Sequence, residues 1–268
     1  MKLNKHYYLA IFAIVAIIAF TVFQKHTNAQ FGSKAIELSL KAEKDKYTLG
    51  DVVELNIQLS NMTDSAIEII TPDVRSGILK VYLSDDGQNF REYNGPGWGS
   101  FDGRKPATKL ASGEGVNTKA EVLHNKVVST GHLTPMYADR IRDRTMDSPI
   151  AFTKPGRYWL KAAITYGKTE IESVPLAIDI SAPEGRDAIV WEKMKDNSEY
   201  AYFLQTGDFA SLPETLERET FVASLRQIVS ELDGSKYGMS IRDKLVKYDA
   251  MKENLRQVQA SVADQTQN

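Results

Sequence analysis

The sequence predicts a mainly β chain, an antiparallel β-sandwich followed by a short helical segment, on three observations. Apolar and polar residues alternate with period two in run after run between Ser33 and Ala182. Turn-forming Gly, Pro, Asn and Asp separate those runs with no helix-period segment between them, which argues against an α/β arrangement. Beyond Ala182-Pro183-Glu184-Gly185 the period changes to that of amphipathic helices.

The chain opens on a different signal. Lys2, Lys5 and His6 form a basic start, Tyr7 to Phe23 is uncharged and mostly apolar, and Thr27-Asn28-Ala29 offers small side chains where a signal peptidase reads them. Residues 1–29 are therefore expected to be a cleaved export signal. The rival reading is a single N-terminal membrane anchor. Helix over that apolar run covers roughly 25 Å against a bilayer core of about 30 Å, and Lys25 and His26 block its extension. Cleavage after Ala29 is the reading adopted, placing the protein in the periplasm or outside the cell. With no cysteine in the chain, a lipid-anchored form is excluded and no disulfide framework is available.

The β region, residues 33–182, follows. Ile36, Leu38 and Leu40 share one face of a first strand, KDKYTLGD turns the chain, and Val53, Leu55, Ile57 and Leu59 alternate in a second. Ala66 to Ile70 is short and stops at Pro72. Leu79, Val81 and Leu83 open a hairpin whose tip is Asp85-Asp86-Gly87, where Asp-Gly supplies the positive φ a tight turn needs, and Phe90 and Tyr93 mark its return. RYWLKAAITY (157–166) and VPLAIDI (174–180) are the late strands. Residues 104–149 show no clear period.

The tail, residues 186–264, is expected to be a helical hairpin with its own core, separate from the sheets. Asp187 to Lys195 and Tyr200 to Leu204 form short helical pieces. Phe221, Leu225, Ile228, Val229 and Leu232 then make one stripe, Gly234 caps it, and Tyr237, Ile241, Leu245 and Tyr248 line the next helix.

Two stretches, LKAEKDKYTLGDVVELNIQLSN and FTKPGRYWLKAAITY, resemble the early and late strands of immunoglobulin-like sandwich domains of bacterial exported proteins. The resemblance implies a fold and carries no active-site residue, because such domains serve many purposes. The turn Gly234-Ser235-Lys236-Tyr237-Gly238 weakly resembles the helix start of tetratricopeptide-like repeats, with no second copy in the chain.

Chemistry is sparse. Removing residues 1–29 takes away Lys2, Lys5 and Lys25, so the 33 bases fall to 30 against 35 acids. That balance opposes nucleic acid as a partner. Of four histidines only His124 and His132 remain, neither in a metal or triad spacing, so no catalytic residue, metal site or cofactor is assigned. Asp85 and Asp86 lie at a solvated hairpin tip, where a raised pKa is not expected. Asp139, Arg140, Arg142, Asp143 and Arg144 read as an ion-paired loop, and Asn61-Met62-Thr63 matches a glycosylation acceptor. The least ordinary segment is YNGPGWGSFDG (93–103). Its glycines expose Trp98 and Phe101, and with Tyr93 these are the candidate ligand-binding residues. The expectation is an exported non-enzymatic binding or assembly protein of the cell envelope or exterior, with a protein or carbohydrate partner. The alternatives are a secreted hydrolase using carboxylates without histidine, and an inhibitor or accessory of a secreted protease presenting the 94–118 or 131–149 loop.

Overall fold

A computed structural model describes residues 35–74, 76–96, 107–125, 148, 150–209 and 216–266. The segment expected to be an export signal (1–29), Trp98, Phe101, His132 and the 139–144 charge cluster lie outside the described residues.

The first sheet has the order β1 (Ile36–Ala42), β3 (Val53–Asn61), β8 (Gly115–Val122), all antiparallel. Its pattern is the alternation of the sequence made physical: Val53, Leu55, Ile57 and Leu59 are at most 1% exposed while Asn56 and Gln58 face solvent. Each such side chain contributes about 1.5–3 kcal/mol by leaving water. Register aligns the inner faces, with Leu38 opposite Leu59, Leu40 opposite Ile57, and Ala120 opposite Leu55.

The second sheet runs β2 (Lys46–Thr48), β11 (Leu176–Ser181), β9 (Gly156–Tyr166), β5 (Leu79–Ser84), β6 (Arg91–Glu92), and β10 (Thr169–Glu172) pairs with the far half of β9. Leu79, Val81, Leu83, Leu160, Ala162, Ile164, Ile178 and Ile180 form its buried face, and β1 lies against β9, β10 and β11. β4 (Ile67–Ile70) and β7 (Ala107–Leu110) make a separate antiparallel ribbon.

Four helices follow among the described residues: α1 (Gly185–Met194), α2 (Ser198–Thr206), α3 (Leu216–Glu231) and α4 (Lys236–Thr266). Asn197 caps α2 by accepting from Glu199 N at 2.9 Å, and Gly207 closes it at φ +72. The turn between α3 and α4 uses Gly234 at φ +85. The start of α4 is held by another helix: the Asp187 carboxylate of α1 accepts from Lys236 N at 2.9 Å and Ser235 Oγ at 2.8 Å. Phe209 fills the helical layer, stacked on Phe203 at 4.6 Å and edge-on to Tyr248 at 4.6 Å.

Four expectations change here. The fold is β-rich, but among the described residues helices carry as many residues as strands. The second sheet is mixed, because β2 pairs with β11 in parallel, and β2 lies in the segment expected to be a turn. The tail has no separate core: Val190, Trp191 and Met194 of α1, Phe203 of α2 and Ile241 of α4 belong to the same buried cluster as the strand residues. Gly50 shows why the two layers are inseparable. At φ +90 it lies beneath the Trp191 and Tyr237 rings, and a Cβ there would sit 3.0 Å from Trp191 Cε3 and 3.1 Å from Tyr237 Cε1. Asn61, finally, is not available for glycosylation in the folded chain. It is fully buried; its Nδ2 donates to the Ser65, Leu110 and Ala111 carbonyls at 2.8, 3.1 and 2.9 Å, and its Oδ1 accepts from Thr63 N and Oγ1.

Candidate functional site

Of the three residues expected to bind ligand, Tyr93 is described, and it is 1% exposed. Its hydroxyl donates to His124 O at 2.5 Å, accepts from Leu123 N at 3.2 Å and lies 3.2 Å from Gln205 Oε1. Burial pushes that phenol well above its ordinary pKa. Tyr93 is a core residue that joins the end of β8 to α2. The Asp85-Asp86 tip is likewise structural. The Asp86 carboxylate accepts from Asn89 N at 2.7 Å, Gln88 N at 2.8 Å and Ser84 Oγ at 2.7 Å, and these bonds hold it well below the usual carboxylate range.

His124 is 6% exposed, with Nε2 3.0 Å from Ser198 Oγ and its ring edge-on to Tyr202 at 5.3 Å. Burial pushes its pKa down to about 4, so the imidazole is neutral near pH 7. A serine beside a neutral histidine is a nucleophile–base pair, and in a triad a carboxylate on Nδ1 orients it. That carboxylate is absent among the described residues. The pair bonds the end of β8 to the start of α2.

A groove of about 340 Å³ forms where the outer face of the first sheet meets α2 and α4. Strand register builds its floor: Glu54 of β3 stands opposite Glu121 of β8, so both carboxylates project from one face at one level. Like charges in that relation disfavour each other. Helical spacing builds one wall, since Lys236, Tyr237, Ser240 and Lys244 recur at three and four residues on α4. Asp51 completes the near end. Its Oδ2 accepts from Thr48 N at 2.9 Å while its Oδ1 pairs with Lys236 Nζ at 2.7 Å.

The charges of this groove are perturbed together. Crowding at the strand ends pushes Glu121 up by desolvation, opposed by Lys244 and reinforced by Glu54. Desolvation pushes Lys244 down, opposed by Glu121. Glu121 keeps solvent contact at the rim and Lys244 is half-buried. Among the described residues neither has an ion-pair partner within 4 Å. The groove thus holds opposite charges that face each other without closing. Tyr237, 2% exposed, forms its base and donates its hydroxyl to Leu49 O. No cluster of metal-ligating side chains occurs among the described residues, and no described helix is long and apolar enough to cross a membrane.

Sequence reasoning missed this groove. Glu54 and Glu121 are 67 positions apart and meet only through the β3–β8 register, while the residues of α4 were legible as an amphipathic helix but not as a wall.

No family model and no curated protein matches the chain. Among solved structures, a β-glucosidase from Erythrobacter marinus is similar at 14% identity and TM-score 0.28, covering 54% of this chain and 15% of that one. The sporulation control protein Spo0M from Bacillus subtilis is similar at 13% identity and TM-score 0.29, covering 56% of this chain and half, 50%, of its own. A CARDB domain from Pyrococcus furiosus, solved with di-metal ions, is similar at 9% identity and TM-score 0.27, covering 55% of this chain and 94% of the domain.

Proposed function

We propose that this is an exported, non-enzymatic binding or assembly protein of the cell envelope or exterior, delivered by removal of residues 1–29. In this reading the strands form an immunoglobulin-like β-sandwich, the helices close one end of it, and the groove between them meets a protein partner. The observation that carries the reading is the groove itself: Glu121 and Lys244 face one another across open space without an ion pair, as groups do that wait for a second set of charges. A polypeptide segment carrying both signs meets that requirement. A sugar is less suited, because carbohydrate sites present open aromatic faces and Tyr237 is buried. Nucleic acid is disfavoured because the groove's three acids offset its three lysines and the chain as a whole is net negative.

The test is capture of extracytoplasmic proteins by the intact protein and by Lys244→Glu. Loss of a bound protein by about tenfold or more in the variant, with restoration in the Lys244→Glu/Glu121→Lys swap, supports the groove as the interface. Equal capture by all three refutes it.

A second reading, a hydrolase using carboxylates, is favoured by the Glu54–Glu121 juxtaposition and the upward shift of Glu121. It requires turnover of chromogenic glycosides that is lost in Glu121→Gln, and it fails if the unaltered protein has no turnover.

A further inference from the structure

The ladder of the first sheet fixes which backbone groups its edges leave over. Asn61 N donates to Glu114 O at 2.9 Å, so odd-numbered residues of β3 bond to even-numbered residues of β8. On the other side Met62 N donates to Ala35 O and Glu43 N to Glu54 O, so the even-numbered residues of β3 bond to β1. The backbone N–H and C=O of Gly115, Asn117, Lys119 and Glu121 therefore point away from the sheet. β1 lies against β9, β10 and β11, whereas β8 has no strand on its far side among the described residues.

One end of that edge is occupied. Gln205 Nε2 donates to Glu121 O at 2.8 Å and its Oε1 accepts from His124 N at 2.7 Å, so a side-chain amide sits where the peptide group of a further strand would. Gly115 to Lys119 has no such cover among the described residues, with Asn117 and Lys119 exposed and Val116 and Thr118 half-buried on the inner face. An open ladder of this kind is a template for another strand.

We infer that a second copy of this chain supplies that strand, β8 pairing antiparallel with β8 about a two-fold axis at Asn117. Register follows from three constraints. Only odd-numbered residues offer free groups, so odd must stand opposite odd. Centring the pair on Lys119 sets two lysines face to face, which is disfavoured. A shift that puts Gly115 or Asn117 opposite Glu121 loses its bonds to Gln205. Centring on Asn117 avoids both: Lys119 stands opposite Gly115, which has no side chain, Asn117 opposite Asn117, and Val116 opposite Thr118. Gly113 then falls opposite Glu121 of the second copy, and a Cβ at Gly113 would meet nothing within 4 Å, so the turn leaves room. A parallel pair would set Lys119 beside Lys119 and turn the second copy's apolar face outward. The antiparallel pair makes one continuous sheet, an isologous contact, with the two charged grooves at opposite ends and their own partner unaffected.

Sedimentation equilibrium of the protein purified from cells expressing the full chain, between about 1 and 200 µM, reads the association. A monomer–dimer equilibrium is expected. Asn117→Lys and Asn117→Glu each change an exposed side chain and set like charges against each other across the two-fold. Each should weaken the dimer about fivefold or more with unchanged circular dichroism. Mixing the two variants should restore it, which damage to the fold could not do. The chain has no cysteine, so Asn117→Cys should form a covalent dimer on oxidation, its facing Cα atoms about 5.5 Å apart, and Lys119→Cys should not. A monomer throughout, a dimer indifferent to Asn117→Lys, no recovery on mixing, or ready cross-linking through position 119 each overturns the proposal. So does a monomer that takes up a foreign peptide strand on this edge.

Discussion

Replacing Gln205 by Leu tests whether the strand and helix layers are one cooperative body. Gln205 is 6% exposed on α2. Its Oε1 accepts from His124 N at 2.7 Å and its Nε2 donates to Glu121 O at 2.8 Å, so one side chain supplies a donor and an acceptor to the end of β8. Leucine has similar volume, which keeps the packing loss small. It leaves a backbone N–H and a carbonyl without partners, at about 1–3 kcal/mol each. The expected loss is therefore about 2–5 kcal/mol, or about 5–15 °C in Tm for a chain of this size. Tyr93→Phe should cost about 1–3 kcal/mol by freeing His124 O and Leu123 N, and the double variant should be less than additive because the groups share one network. Urea unfolding followed by circular dichroism and by tryptophan fluorescence is the assay. In the parent both signals should fall in one transition, since Trp159 belongs to β9 and Trp191 to α1 within touching layers. A loss under about 0.5 kcal/mol would refute the reasoning. So would a helical signal that melts early while the sheet signal is unchanged.

Two further outcomes follow from buried polar groups. His124 has its folded pKa depressed to about 4 from 6.5, so the native state binds its proton less readily than the unfolded state. Its contribution is complete above about pH 6.5 and is lost as pH falls toward 4, by about 3 kcal/mol in all; His124→Phe should flatten the stability–pH curve in that window, and an unchanged slope in denaturation titrations would exclude this histidine as its source. Asn61→Ala should destabilise by about 2–4 kcal/mol in urea titrations, because the buried Leu110 carbonyl loses its donor and the Thr63 turn loses its acceptor, and a variant as stable as the parent would show that water replaces the amide.

Strands with strong contrast between faces were legible in the sequence. Ile36–Leu40, Val53–Leu59 and Arg157–Tyr166 alternate large aliphatic or aromatic residues with polar ones, and they became β1, β3 and β9. β8 was not legible, because its inner face reads Val116, Thr118, Ala120, Val122, too weak an apolar signal to separate from loop. β2 was read as a turn because three residues carry no period, and its parallel partner lies far down the chain. The helix stripes were found, but a stripe gives no address. Nothing in Leu225, Ile241 or Val190 says whether its neighbours are helical or in a sheet, so a separate tail core was inferred where a shared one exists. The site suffered most. Charged residues are read locally as solvated, and only register brings Glu54, Glu121 and Lys244 to one groove. Tyr93 was grouped with Trp98 by adjacency, whereas the strand pairing of β6 turns it inward.

The parallel pairing of β2 with β11 has a consequence for the order of events during folding. Thr48 and Ser181, which lie side by side at this junction, are 133 residues apart in sequence, and the contact between Leu49 and Tyr237 spans 188. Segments this distant must meet before either is rewarded, which slows the search relative to a chain of local hairpins. A nascent chain that has emerged only as far as β9 holds Lys46–Leu49 with no partner on either side. That edge stays open until the C-terminal third arrives. The segments that complete this sheet edge are therefore among the last to join the fold.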